Sequence, residues 1–234
     1  MEKVVKYIII GFIVLITFLM YVISLPRSKI RYDIKYQQKL FYNTDDKYFE
    51  KLKLLEYNYK TILSEMPPFY IQSVTIKRNG AEWANNISSE NFNLLKNSDT
   101  WVEGSNNERY IWYNYPLLVN DIVMCGADKK CPKTLKLLQL SGLKINVAGY
   151  ALLLPKSKLS LHTDITGLSN NTVAVNLKLS GTDSYLYIKN KNNNFDEYEH
   201  QDGKAVIFNS QIEHYAINNG PKIRYILYMD ISLS

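Results

Sequence analysis

Residues 145–188 read INVAGYALLLPKSKLSLHTDITGLSNNTVAVNLKLSGTDSYLYI. Four runs rich in Leu, Val, Ile and Tyr stand out in this stretch: Ile145–Leu154, Lys158–His162, Thr172–Leu179 and Ser184–Ile188. Turn clusters separate them at Pro155–Ser157, Gly167–Asn171 and Ser180–Gly181. The pattern continues through Ala205–Phe208 and Arg224–Ile231, with further turn signals at Lys191–Asn194, Asp202–Gly203 and Asn218–Pro221. Many short strands at close spacing predict an all-β barrel or sandwich rather than a βαβ unit. The chain shows no internal repeat.

N-terminal to this β region the periodicity is helical. In residues 46–66 the apolar positions Phe49, Leu52, Leu55, Tyr59, Ile62 and Leu63 recur at helical spacing, and Pro67 and Pro68 end the run. A second short helix is expected from Lys133 to Leu140, after Pro132 and ending near Gly142. Residues 70–110 are mixed, with turn signals at Asn79–Gly80 and Gly104–Asn107.

Tyr7–Leu25 carries no charge over 19 residues. As a helix it would span about 28 Å, close to the hydrocarbon thickness of a bilayer. Pro26 stops it, and no small-x-small cleavage site follows, so an uncleaved anchor is favoured over a signal peptide. The expected organisation is an anchor over 1–26, a connector over 27–45 and one folded domain over 46–234. Flanking charges (Lys3 and Lys6 before the run; Arg27, Lys29 and Arg31 after it) give no clear orientation and lean slightly toward a cytosolic body. The cysteine pair and the sequons at Asn86 and Asn170 lean toward a lumenal or extracytoplasmic domain on a single-pass membrane protein.

Composition narrows the class further. The chain has 234 residues, 46% of them hydrophobic, so the body is neither disordered nor wholly membrane-embedded. The net charge of +6 is scattered and forms no basic stripe interleaved with aromatics, which argues against nucleic acid. Cys125 and Cys131 are too few for a disulfide scaffold or a zinc finger; a local disulfide and two free thiols both remain open.

The chain has only three histidines. His162-Thr163-Asp164 ends one predicted strand, and residues two apart on a strand share a face. His214 follows 50 residues after Asp164. Two imidazoles and one carboxylate form the facial triad of non-haem Fe(II) oxygenases, which leaves three coordination sites open. The bland readings are a strand-end histidine at 162 and a loop histidine at 214. Arg224 lies ten residues after His214, between Ile223 and Tyr225, where a buried charge needs a partner. That partner is either a dicarboxylate cosubstrate or an acid such as Asp230 or Glu213; an edge-strand Arg facing solvent is the third possibility. His200 is expected to be a surface residue in a turn.

These pieces occur in a familiar order. From about residue 46 onward the chain resembles the aspartyl/asparaginyl β-hydroxylase family of Fe(II)/2-oxoglutarate dioxygenases. The resemblance runs through the helix Leu55–Glu65, the segment Trp112–Leu117, Cys131-Pro132-Lys133-Thr134, and Pro155 followed by His162-Thr163-Asp164. It closes with Asp202–Phe208, His214 and Arg224. It implies a double-stranded β-helix of the jelly-roll or cupin kind, flanked by the N-terminal helices and the transmembrane helix. It also implies His162, Asp164 and His214 as iron ligands and Arg224 as the 2-oxoglutarate arginine, with ascorbate as reductant. Some positions depart from the family pattern. Animal members have Gly where Asp164 stands. A second cosubstrate Arg and a nearby His are expected in Thr172–Leu177, which instead offers Ala174 and Asn176. Tyr215 replaces the usual Glu. The implied activity is hydroxylation of a peptide side chain of the aspartyl or asparaginyl type. A membrane lipid substrate is the alternative, since the family also includes anchored lipid A hydroxylases. Two other readings compete: a zinc hydrolase on the same ligands, for which only Glu213 is a nearby acid/base, and an inactive membrane-tethered binding module.

Overall fold

The computed structural model describes residues 40–42, 44–70, 89–103, 111–164 and 172–233. The anchor Tyr7–Leu25, both sequon asparagines and the turn signals at 79–80, 104–107 and 167–171 lie outside the described residues. Among the described residues no helix is long and apolar enough to cross a membrane.

Twelve strands are present among the described residues. They are β1 (Phe41–Tyr42), β2 (Val102–Glu103), β3 (Trp112–Val119), β4 (Ile122–Val123), β5 (Ile145–Leu153), β6 (Ser157–His162), β7 (Thr172–Ser180), β8 (Ser184–Lys189), β9 (Phe195–Glu199), β10 (Ala205–Phe208), β11 (His214–Asn218) and β12 (Arg224–Ser232). They form two sheets, all of whose pairings are antiparallel. The larger has the order β1-β10-β7-β12-β5-β3-β2, with β4 on β3, and the smaller is β6-β11-β8-β9. From β5 onward the chain passes repeatedly between the sheets, so that β5, β7, β10 and β12 face β6, β8, β9 and β11. This is a double-stranded β-helix, and the chain is mainly β.

Period-two alternation divides the larger sheet into two faces. On β7, Val173, Val175, Leu177 and Leu179 point outward into the main core, while Ala174, Asn176 and Lys178 point between the sheets. On β12, Leu227, Met229 and Ile231 join the main core, and Arg224, Ile226, Tyr228 and Asp230 take the inner face. Helices cover the outer face. A short 3-10 turn (Phe49–Lys51) leads into α1 (Leu52–Tyr57) and α2 (Tyr59–Ser64). Leu52, Leu55 and Ile62 are fully buried there, and each contributes about 1.5–3 kcal/mol. The expected single helix is therefore interrupted. Asn58 leaves helical geometry (φ −99°, ψ 15°) because its side-chain amide donates to the Leu54 carbonyl at 2.8 Å, competing with the helical ladder.

Two further helices follow α3 (Ser89–Asn97): α4 (Ala127–Lys130) and α5 (Pro132–Leu140). Glu65, just past α2, caps α5. Its carboxylate accepts from the amides of Lys133 at 3.0 Å and Thr134 at 2.7 Å, and from the Thr134 hydroxyl at 2.9 Å. Both cysteines are free and buried, which decides the question left open by their spacing. The Cys125 thiol donates to Leu95 O at 2.7 Å and the Cys131 thiol to Glu65 O at 3.3 Å.

Two differences from the sequence reading matter for the site. The end of the expected connector forms β1, which pairs with β10. Strands β9 and β11 carry no period-two apolar signal. On β11 the buried positions are His214, Ala216 and Asn218, while Tyr215 and Ile217 are half-buried. Polar groups face inward there, so the usual alternation is inverted.

Candidate metal centre and its buried polar wall

β6 and β11 are neighbours in the smaller sheet, and His162 and His214 are Cα partners across them. Their rings lie 4.3 Å apart between centroids. Asp164 continues from β6, and its amide donates to the Ser210 carbonyl at 2.8 Å, which fixes the turn on which the carboxylate sits. One potential ligand atom from each of His162, Asp164 and His214 lies within 4.8 Å of the other two.

The hydrogen bonds fix the state of both rings. His162 Nδ1 lies 2.6 Å from Ser160 O, and His214 Nδ1 lies 2.8 Å from Ile212 O. A carbonyl only accepts, so each Nδ1 carries a proton, and in the neutral tautomer each Nε2 presents the lone pair. These Nε2 atoms face Asp164: His162 Nε2 stands 3.6 Å from Oδ1, and His214 Nε2 stands 3.8 Å from Oδ2. Both separations are too long for hydrogen bonds. Three acceptors thus converge with no proton between them, an arrangement that suits a cation. Burial lowers the His214 pKa despite the opposing charge of Asp164, which keeps the ring in its ligating form. Tyr228, on the inner face of β12, donates to Asp164 Oδ2 at 3.3 Å.

Arg224 starts β12 on the same inner face and is 2% exposed. Neither Nε nor Nη1 has a hydrogen-bond partner. Neither suggested acid pairs with it: Glu213 binds Lys189 at 2.5 Å, and Asp230, six residues along β12, accepts from Asn146 at 2.7 Å through Oδ1 and leaves Oδ2 without a partner. Burial alone pulls the guanidinium pKa down to about 10, so it remains cationic at neutral pH. Glu213, the one acid considered for a hydrolase, is thus tied to a lysine. Asn176 is also buried on the inner face, opposite Tyr228 across β7 and β12, and its Oδ1 has no partner.

His200 corrects the sequence reading. It is buried rather than on the surface, at 3% exposed, because its amide continues the β8–β9 pairing by donating to Ser184 O at 2.9 Å. That places it one step beyond Glu199, on the side of the strand that faces inward. Lys178 is a buried cation that the sequence reading passed over. Its ammonium donates to His200 O at 2.9 Å and pairs with Asp202 at 3.2 Å. Its position inside an apolar strand, VAVNLKLS, was the available signal.

Residues 73–233 match the aspartyl/asparaginyl β-hydroxylase family. The chain belongs to that family. It is accordingly a 2-oxoglutarate-dependent dioxygenase, with Fe(II) and 2-oxoglutarate as its cofactors. Among curated proteins, none matches the chain. Solved structures similar to it include a 2-oxoglutarate/Fe(II) oxygenase-family oxidoreductase from Burkholderia pseudomallei, at 12% identity and TM-score 0.44, covering 53% of this chain and 69% of that one. A prolyl-4-hydroxylase from Pseudomonas putida aligns at 14% identity and TM-score 0.41, covering 58% and 78%. A cupin domain of a transcriptional regulator from Enterobacter cloacae aligns at 14% identity and TM-score 0.32, covering 51% and 95%.

Proposed function

We propose that this hydroxylase holds Fe(II) through His162, Asp164 and His214, binds 2-oxoglutarate against Arg224, and hydroxylates a C–H bond in a peptide side chain of the aspartyl or asparaginyl type. One observation carries the ligand assignment. Two Nε2 lone pairs and a carboxylate converge, with both Nδ1 protons committed to backbone carbonyls. The donor set is the one preferred by non-haem Fe(II). The peptide substrate is supported by the family alone.

The protein's own contribution is positional. The paired strands β6 and β11 hold the two imidazoles at fixed separation. The Asp164 amide and Tyr228 hydroxyl orient the carboxylate. Arg224 offers a buried, unmatched positive charge to the distal carboxylate of the cosubstrate. Asn176 adds a buried side-chain Oδ1 without a partner on the β7 wall, opposite Tyr228. When bound, the iron supplies the oxidising chemistry, using O₂ and 2-oxoglutarate and releasing succinate and CO₂. The charge-free run Tyr7–Leu25 would tether the enzyme to a membrane with the barrel on the lumenal or extracytoplasmic side.

The test is succinate release with Fe(II), ascorbate and 2-oxoglutarate, with and without an Asp- or Asn-containing peptide. Wild type should turn over, and His162→Ala should fall to background. Equal turnover in the two proteins would remove the iron assignment. No stimulation by any peptide would remove the substrate class alone.

A further inference from the structure

We propose that His200 is a second donor to the distal carboxylate of the cosubstrate, sharing it with Arg224; this rests on the reading of Arg224 given above. The strand register brings the two residues to one end of the barrel. His200 is hydrogen-bonded through its amide to Ser184 O at 2.9 Å. Ser184 is the Cα partner of Asn218 on β11. The Asn218 amide donates to Leu153 O at 3.0 Å, and Leu153 is the β5 partner of Arg224. These residues ring the barrel at the end away from the triad. His214 pairs with Ile188, four residues along β8 from Ser184, and Tyr228 lies four residues along β12 from Arg224. Each interval is about 13 Å of strand.

At this end the polar groups lack partners. Both ring nitrogens of His200, the Ser184 hydroxyl, and Nε and Nη1 of Arg224 are buried and make no hydrogen bond. Groups so buried are normally satisfied, and each one left unmade is costly. The deficit is specific in kind. Among the described residues, Glu213 and Asp202 are engaged by Lys189 and Lys178, while Asp230, whose Oδ1 accepts from Asn146 and whose Oδ2 has no partner, lies six residues along β12 from Arg224 at the triad end. The missing ligand is therefore an anion with several acceptor lone pairs, as a carboxylate has.

Burial, reinforced by the cations Arg224 and Lys178, lowers the His200 pKa well below 6.5 and holds the imidazole neutral. A neutral ring still has one N–H to donate and adds no further charge to a wall that already carries Arg224. Lys178 holds the backbone of the turn through His200 O and so sets the ring's position.

The test compares anaerobic calorimetric binding of 2-oxoglutarate and 2-oxopentanoate to the Fe(II)-loaded full chain. The second compound has the same keto acid and chain but no distal carboxylate. His200→Phe should weaken 2-oxoglutarate by about tenfold or more, as loss of a hydrogen bond to a charged group does, and should move 2-oxopentanoate by less than about threefold. His200→Gln keeps a donor and should recover most of the loss; His200→Leu serves as the apolar variant should Phe not fold. Equal weakening of both ligands, or no weakening of either, overturns the proposal. Arg224→Met separates the two readings. If it loses the preference for the dicarboxylate while His200→Phe keeps it, only His200 is wrongly assigned. If neither variant changes that preference, the Arg224 reading fails as well.

Discussion

Tyr228 donates its hydroxyl to Asp164 Oδ2 at 3.3 Å from the middle of β12. Asn176 lies opposite it on β7 and Gly149 opposite it on β5. Burial, reinforced by the charges of Asp164 and Asp230, raises the phenol pKa well above 10, so the proton stays on Tyr228 across the working pH range. The carboxylate therefore keeps one oxygen oriented by a permanent donor. Removing such an outer partner typically weakens metal affinity 10–100-fold. Tyr228→Phe should lower Fe(II) affinity by about tenfold with no loss of folded content. An Fe(II) titration followed alongside circular dichroism checks this, and unchanged affinity would show that the hydroxyl has no part in placing Asp164.

Arg224 should display a trade between stability and binding. Its charge is buried without an acid, which destabilises the empty barrel. Arg224→Met should raise the unfolding free energy by about 1–3 kcal/mol, in line with replacing buried charges by packed apolar groups. The same variant should lose measurable 2-oxoglutarate binding. Urea unfolding and calorimetry together check the pair of outcomes.

His200 gives the protein a pH dependence with a definite sign. Burial and the charges of Arg224 and Lys178 put its folded-state pKa well below the ordinary 6.5. Below 6.5 the unfolded chain takes up a proton that the folded chain refuses, so stability is full above 6.5 and is lost as pH falls below it. Asp230 acts in the opposite sense. Burial raises its carboxyl from 3.8 to about 6, so its contribution is full below 3.8 and fades as pH rises through about 6. The His200 effect is therefore best read as a difference. Between pH 7 and pH 5 the Tm of wild type should fall more steeply than that of His200→Gln. Parallel curves would contradict the burial-driven shift.

The Glu65 cap joins α2 to α5 across 69 residues of sequence. Glu65→Ala removes acceptors from the amides of Lys133 and Thr134 and from the Thr134 hydroxyl. Loss of a cap of this kind costs about 1–2 kcal/mol. Urea midpoints should shift accordingly with an unchanged m-value, and Fe(II) binding should be unaffected.

The sequence was readable where one face of an element is apolar. Runs such as Ala205–Phe208 and Thr172–Leu179 coincide with strands β10 and β7 almost to the residue, because their outer faces pack on helices. It was unreadable where the interior is polar. β11 turns His214 and Asn218 inward, and β9 is mostly exposed and charged, so neither carries the alternation that marks a strand. The same inversion hid His200. A histidine beside Glu199 and Asp202 looks solvated in sequence, yet one added backbone hydrogen bond to Ser184 carries it into the barrel. The candidate metal ligands were picked out by motif order; Lys178 was passed over because a lone lysine in an apolar strand belongs to no motif.

The histidines that face each other across β6 and β11 come from stretches of chain 52 residues apart, and no local element brings them together. The register of β6 and β11 is what sets the two imidazoles at ligating separation, so the ion is expected to enter an assembled barrel rather than to nucleate it as in a small zinc domain. A chelator should arrest turnover while leaving the barrel assembled, and a freshly synthesised chain should fold at a rate indifferent to iron supply.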